Sequence, residues 1–173
     1  MKPWKILVTG SSGLIGSEAV EYFDRQGHRV VGSDNNMRRV FSSPSGDTLW
    51  NLERLKRDTR QFIPVAIDIR DRDGVTSLFR EHRFDIITHC AAQPSHDKAA
   101  NIALLDFEVN AFGTVNLREA ARQLCRDAAI IFMSTNKVYG DAPNERRLRE
   151  NETRYDYSDA ADDEGAEDLA KKG

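Results

Sequence analysis

The stretch "LVTGSSGLIGSEAVE", Leu7 to Glu21, places three glycines, Gly10, Gly13 and Gly16, where an apolar run gives way to an amphipathic one. Trp4 to Val8 is a largely apolar run of strand length that stops at Gly10. From Leu14 onward, Ile15, Ala19, Val20, Tyr22 and Phe23 recur at helical spacing, and Gly27 marks a helix stop. A glycine-rich turn from strand to helix is either a plain bend or a cradle for phosphates. In the second reading each glycine has its own role. Gly10 makes the tight turn, Gly13 lets backbone approach a pyrophosphate, and Gly16 lets helix and strand pack closely. The first turn of the helix, with Leu14 and Ile15, then offers unpaired N–H groups and the positive end of the helix dipole to an anion. The hydroxyls of Ser11 and Ser12 would add donors. Glycines alone leave the two readings close.

Asp34 separates them. It ends the second β-branched run, "HRVVGSD", 24 residues after Gly10. There a carboxylate can accept hydrogen bonds from the ribose hydroxyls of an adenosine, with Asn35 and Asn36 following in the same "DNN" segment. A carboxylate repels a 2′-phosphate, so the placement favours NAD over NADP. Arg38 and Arg39, just downstream, keep an NADP reading open.

Beyond this unit the chain alternates. "PSGDTLWNLERLKRDTRQ" predicts a helix beginning after Asp47, "FIPVAID" a third strand ending at Asp68, and "DRDGVTSLFREH" a helix. "FDIITHCAA" predicts a fourth strand, Ala103 to Leu124 one long helix carrying Leu105, Val109, Phe112, Val115, Leu117 and Ala121, and "AAIIFMST" a fifth strand. Strands apolar on both faces and alternating with helices imply a parallel sheet between helix layers. His89, closing the fourth strand, reads as a packed, hydrogen-bonded core histidine.

The 173 residues are 39% hydrophobic and 31% charged with a net charge of -3, the balance of a globular protein without a nucleic-acid-binding or membrane surface. The cysteines, Cys90 and Cys125, read as reduced core thiols, and the expected location is cytoplasmic. No grouping of His, Cys, Asp and Glu has metal-ligand spacing. After Gly140 the composition shifts: residues 141–173 carry a net charge of -5 and no Val, Ile, Phe, Met or Trp. This predicts a dinucleotide-binding domain over 1–140 and an acidic, mobile tail over 141–173, with a helical turn in "AEDLAKKG".

The chain resembles the extended short-chain dehydrogenase/reductase family, the NAD-dependent nucleotide-sugar epimerases and dehydratases. The pieces that carry the resemblance are "TGSSGLIG", "DNN" at 34–36, "DIRD" at 68–71, "HCAAQPSHD" at 89–97, "FEVNAFGTVNLREAAR" at 107–122 and "MSTNKVYGD" at 133–141. "STNKVYGD" with "AAQPSHD" is most similar to the branch containing the CDP-tyvelose 2-epimerases. The resemblance implies a Rossmann-type doubly wound sheet of order 3-2-1-4-5. It implies that Asp68 and Ile69 hold the adenine, and that Ala91, Ala92 and Gln93 pass beside the cofactor's ribose and phosphates. Asn110 would support the active-site end, and Thr135 would be the catalytic hydroxyl that bonds the reacting sugar oxygen. Gln93, His96, Asn136 and Lys137 are the implied substrate contacts, and the substrate a CDP- or UDP-sugar. Dehydratases of the family place Asp and Glu directly after that threonine as acid and base. Asn136 and Lys137 cannot serve as that pair, which favours epimerisation over dehydration, with a nucleotide-sugar dehydratase or dehydrogenase as a second alternative.

The family's Tyr-x-x-x-Lys pair, whose ammonium lowers the phenol's pKa, does not occur in these 173 residues. The expectation is therefore a cofactor-binding N-terminal part of an epimerase, truncated before the last strands and the C-terminal domain and inactive alone. A non-catalytic dinucleotide-binding module, or truncated remnant, is the competing reading. Either would leave apolar surface uncovered, so self-association, in the simplest case as a homodimer, is expected.

Overall fold

A computed structural model describes residues 2–42 and 44–158, without the side chains of Phe41, Ser42, Pro44, His96, Asn136 and Lys137. The helical turn expected in "AEDLAKKG" lies outside the described residues. The chain divides into two units, Met1–Met133 and Ser134–Gly173.

The first unit runs β1 (Lys5–Thr9), α1 (Leu14–Arg25), β2 (Arg29–Ser33), α2 (Arg38–Ser42), α3 (Leu49–Asp58), β3 (Phe62–Val65) and α4 (Arg72–His82). It continues through β4 (Ile86–His89), α5 (His96–Ala99), α6 (Ala103–Phe107), a π-helical turn (Glu108–Phe112), α7 (Gly113–Leu124) and β5 (Ala129–Phe132). The five strands form one parallel sheet in the order β3-β2-β1-β4-β5. The chain therefore reverses direction across the sheet between β1 and β4, the crevice where ligands of open α/β sheets bind.

The apolar runs explain the two layers. Along β1, Ile6 and Val8 point to one face and Leu7 to the other, and Val30 and Val31 divide in the same way on β2. Ile6, Val8 and Val30 pack with Val20 of α1 and Leu55 of α3. Leu7, Val31 and Ile87 pack with Val75, Leu78 and Phe79 of α4 and Leu117, Ala120 and Ala121 of α7. Helix ends follow local chemistry. Gly27, at φ +80°, turns the chain out of α1, and Asp71 caps α4 by accepting the Gly74 N–H at 3.0 Å.

Two elements differ from the sequence expectation. The Ala103–Leu124 helix is interrupted by the π-turn, where Asn110 turns its side chain to the loop after β4, donating to Gln93 O at 3.1 Å and accepting from Gln93 N at 2.9 Å. A widened turn of this kind is a recurrent feature of functional sites. The third strand ends at Val65 rather than Asp68, leaving that aspartate in a loop where it accepts its neighbour's Arg70 N–H at 2.9 Å.

At the sheet's far edge β5 exposes Ile130, Ile131 and Phe132 at 46%, 43% and 56%. Leu104 and Phe107 on α6 and Val115 on α7 are exposed as well. These are large apolar side chains in places where interiors normally put them. No helix among the described residues is long and apolar enough to cross a membrane.

The second unit holds short 3-10 turns at Asn136–Tyr139 and Ala142–Glu145 and an antiparallel hairpin of β6 (Leu148–Glu150) and β7 (Tyr155–Tyr157). Asp156 ties the hairpin's turn by accepting from Asn151 Nδ2 at 2.8 Å and Arg154 Nε at 2.9 Å.

Candidate functional site

A cleft of about 310 Å³ opens at the carboxyl ends of the first four strands. Gly10, Gly13, Leu14, Ile15 and Gly16 form one wall, Asp34 and Asn35 follow β2, Asp68 and Ile69 lie beyond β3, and Ala91 and Ala92 stand after β4. Eleven of the sequence-derived cofactor positions thus line one cavity.

The glycines are needed by contact as well as by turn geometry. Gly10 has φ +65°, and a Cβ there would lie 2.9 Å from the backbone N and Cα of Ala91. A Cβ on Gly16 would be driven into the carbonyl oxygen of Gly10, and one on Gly13 would sit 3.2 Å from the same oxygen. The turn is closed by Gly10 N–H donating to Ser33 O at 2.8 Å and Gly13 N–H donating to Gly10 O at 3.0 Å. Among the described residues no side chain caps α1 at Gly13, so its first-turn N–H groups face the cleft without a capping acceptor.

Asp34 does more than end a strand. Its Oδ2 accepts the Ser12 N–H at 2.9 Å and its Oδ1 the Asn36 N–H at 2.8 Å. It therefore holds the glycine turn and its own loop in place, with lone pairs left on both oxygens. At the other end, Arg70 grips Asp68 through Nη2 at 2.7 Å and also reaches Glu108 at 3.1 Å. The Arg70 guanidinium holds the Asp68 carboxyl below the usual carboxylate range, so it is ionised at neutral pH.

Several sequence-derived residues sit elsewhere. The side chains of Ser11 and Ser12, 1% and 2% exposed, turn away from the cleft into the packing beneath it. Glycine at position 32 makes room for Ser11, whose Oγ would be 2.7 Å from a Cβ there. Asn36, at φ +54°, spends its amide on the loop before α3, accepting Thr48 N–H at 3.0 Å and donating to Asp47 at 3.1 Å. Gln93 is 5% exposed, and its amide nitrogen donates to Asp106 at 2.8 Å and to Ser95 O at 3.0 Å. Asn110 stands behind that loop. Thr135 belongs to the second unit, exposed before the 3-10 turn, its carbonyl accepting the Val138 N–H at 3.4 Å. The side chains of His96, Asn136 and Lys137 lie outside what is described. Met37, Thr48 and Pro94 line the cleft without having been singled out as site residues. Thr48 could have been found only through the Asn36 turn that delivers it.

Two titratable groups at the end of β4 are shifted by burial. Cys90 lines the cleft, and burial pushes its thiol up to about 11, so it is a protonated thiol at neutral pH. Cys90 and Cys125 are both free. His89, 5% exposed, is pushed down to about 4. As the sequence indicated, it is a hydrogen-bonded core histidine: Nδ1 lies 2.7 Å from Thr9 Oγ1 and Nε2 3.0 Å from Thr114 Oγ1. Unfolded, a histidine takes its proton near pH 6.5; in the folded chain it stays neutral until about pH 4. Between those values the unfolded state binds the extra proton, so stability falls as pH falls, by on the order of 3 kcal/mol across the window. Urea unfolding from pH 7 to pH 4 reads this slope. His89→Phe is expected to flatten it, and an unchanged slope in that variant would assign it to other groups.

A cradle of three glycines whose added Cβ atoms would be obstructed, an uncapped helix start and an acid after β2 fit a dinucleotide. Fold and site together define a Rossmann-type α/β protein. The chain belongs to the NAD dependent epimerase/dehydratase family, whose model matches residues 6–172. It is 36% identical over 151 residues to a CDP-paratose 2-epimerase of Salmonella typhi, covering 87% of this chain and 42% of that protein. A UDP-glucose 4-epimerase of Mycolicibacterium smegmatis is 36% identical over 139 residues, 80% of this chain and 41% of the relative. Among solved structures, the UDP-Glc/GlcNAc 4-epimerase of Campylobacter jejuni matches with a TM-score of 0.69 at 30% identity, over 80% of this chain and 39% of that one. The Thermus thermophilus UDP-glucose 4-epimerase, solved in complex with NAD, matches with a TM-score of 0.67 at 34% identity, over 84% and 42%. The chain thus spans about two-fifths of the length of these relatives.

Proposed function

We propose that this chain is the cofactor-holding part of a nucleotide-sugar epimerase and that it binds NAD. The observation that carries the proposal is the convergence of Gly10, Gly13, Gly16, Asp34 and Asp68 on one cleft. The α1 start and the glycine turn hold the pyrophosphate. Asp34, already fixed by two backbone N–H groups, uses its remaining lone pairs on the ribose hydroxyls. Asp68 and Ile69 meet the adenine, and Ala91 and Ala92 border the path toward the nicotinamide end. Bound NAD supplies reversible hydride acceptance from a sugar carbon, which allows inversion without net redox change. By resemblance to the family, Thr135 is the residue assigned to the reacting sugar oxygen, and His96, Asn136 and Lys137 are assigned to the substrate. Asn136 and Lys137 offer no carboxylate pair for eliminating water, which supports epimerisation of a CDP- or UDP-sugar over dehydration.

These 173 residues hold no Tyr-x-x-x-Lys, so we assign them cofactor binding without turnover by themselves. Calorimetric titration of the purified chain is expected to show one-to-one binding of NAD, tighter than NADP. Preference for NADP would transfer the ribose end to Arg38, which lines the same cleft. Epimerisation of a CDP- or UDP-sugar by the chain alone would overturn the assignment of binding without turnover.

A further inference from the structure

His89 does not line the cleft, yet it joins both ends of the segment that carries one of its walls. The wall is Ala91 and Ala92 after β4, with Gln93 continuing the segment behind it. At the segment's first end, the Ala91 N–H donates to Thr9 Oγ1 at 3.1 Å, and the Cys90 N–H is shared between Thr9 Oγ1 and Thr9 O, each at 3.2 Å. With both lone pairs of Thr9 engaged, its hydroxyl hydrogen is left for His89 Nδ1, 2.7 Å away. That makes Nδ1 an acceptor and puts the ring hydrogen on Nε2, which donates to Thr114 Oγ1 at 3.0 Å. Thr114 passes its own hydrogen to Asn110 O at 2.6 Å. Asn110 holds the segment's other end, with paired hydrogen bonds to Gln93 N and Gln93 O at 2.9 and 3.1 Å. Every donor in this chain of bonds meets an acceptor, and only the neutral Nε2–H ring satisfies all of them. The ring is backed by Phe132, its centroid 5.5 Å away, and shares a cavity with Arg118, the charged group on that side.

We propose that His89 is a positioning residue that, through Thr9 and through Thr114 with Asn110, clamps the Ala91–Gln93 segment at both ends and so sets the width of the cleft against Gly10. Ala91 is the backbone that Gly10 touches, so movement of this wall changes the gap through which the cofactor passes. The effect falls on the β4 side of the cleft. Asp34 and Asp68, on the β2 and β3 side, are outside the clamp. The functional consequence rests on the NAD reading above, whereas the clamp itself does not.

Two kinds of measurement separate them. In the wild-type chain, 15N spectra of the imidazole are expected to show a neutral His89 with its hydrogen on Nε2. A hydrogen on Nδ1 overturns the proposal. In Thr114→Val, which keeps the side chain's shape, and in His89→Phe, the amides of Ala91 and Gln93 are expected to exchange hydrogen about tenfold faster, with Val31 unchanged. NAD should then bind about tenfold more weakly, while AMP, held by the Asp34 and Asp68 side, stays within about twofold. The double variant should cost less than the sum of the singles, because both break one chain of bonds. Unchanged exchange at Ala91 and Gln93, equal loss of NAD and AMP, or full additivity would each overturn the clamp. If the wild-type chain binds neither NAD nor AMP, the cofactor reading fails, and tautomer and exchange still decide the clamp.

Discussion

Gly16→Val is expected to unfold the cradle rather than merely weaken a ligand. A Cβ at this position meets Gly10 O, lies 2.7 Å from Gly10 C and 3.0 Å from Ser11 Cα, all of them backbone. No rotamer change relieves such contacts, and Gly10 itself has little room, since a Cβ on it would lie 2.9 Å from the Ala91 backbone. Overpacking of this kind costs about 3 kcal/mol, which for a domain of this size lowers the melting temperature by roughly 10 °C. Even the fraction that folds would carry α1 displaced from the turn, so NAD binding should disappear over any practical range. Thermal unfolding followed by circular dichroism, with a calorimetric titration beside it, checks both parts. A variant with the wild-type melting temperature would show that α1 and the turn are not packed as described.

Asp34→Ala is the second large effect, and it divides between ligand and loop. The carboxylate serves two backbone donors, Ser12 N–H and Asn36 N–H, besides any ribose. Losing charge-assisted hydrogen bonds to the ribose is expected to weaken NAD about 10- to 100-fold. Affinity for NADP should change far less, because the repulsion of a 2′-phosphate is removed together with the acceptor. Asp34→Asn should fall close to alanine despite its equal size. Its oxygen can accept one backbone N–H, but its NH2 then confronts the other. Stability should drop by about 1 kcal/mol in both variants, since water can partly replace the lost acceptor at this half-exposed site. Parallel titrations with the two dinucleotides test this, and an unaltered NAD to NADP ratio in Asp34→Ala would remove Asp34 from the ribose.

The parts of the fold that rest on local pattern were legible in the residues. Alternating apolar runs and the Gly10, Gly13, Gly16 spacing led to the parallel sheet and the cradle, and the family resemblance supplied the strand order. Asp34 could be placed because strand ends in such a sheet converge on one edge, whereas Asp68 was placed by the family resemblance and lies in the loop after β3. What escaped depends on where a side chain turns once its backbone is set. Ser11 and Ser12 follow the first glycine, yet the turn rolls their hydroxyls inward over Gly32. Asn36 adopts a left-handed conformation and is consumed by its own loop. Gln93 and Asn110 bond each other across 17 residues, a pairing no local period reveals. The π-turn is hidden for the same reason, because its apolar spacing reads as an ordinary helix. His89 was readable as buried and hydrogen-bonded, but its tautomer follows only from the two threonines on either side of it.

Whether the cleft at the strand ends is a dinucleotide site is decided by titrating the 15N-labelled chain with NAD and following every backbone amide. Saturable shifts are expected at Gly10–Gly16, Asp34–Asn35, Asp68–Ile69 and Ala91–Ala92 alone, with the amides of β5 and α7 unmoved. An unchanged spectrum at millimolar NAD, or shifts gathered on any other surface, would contradict the assignment.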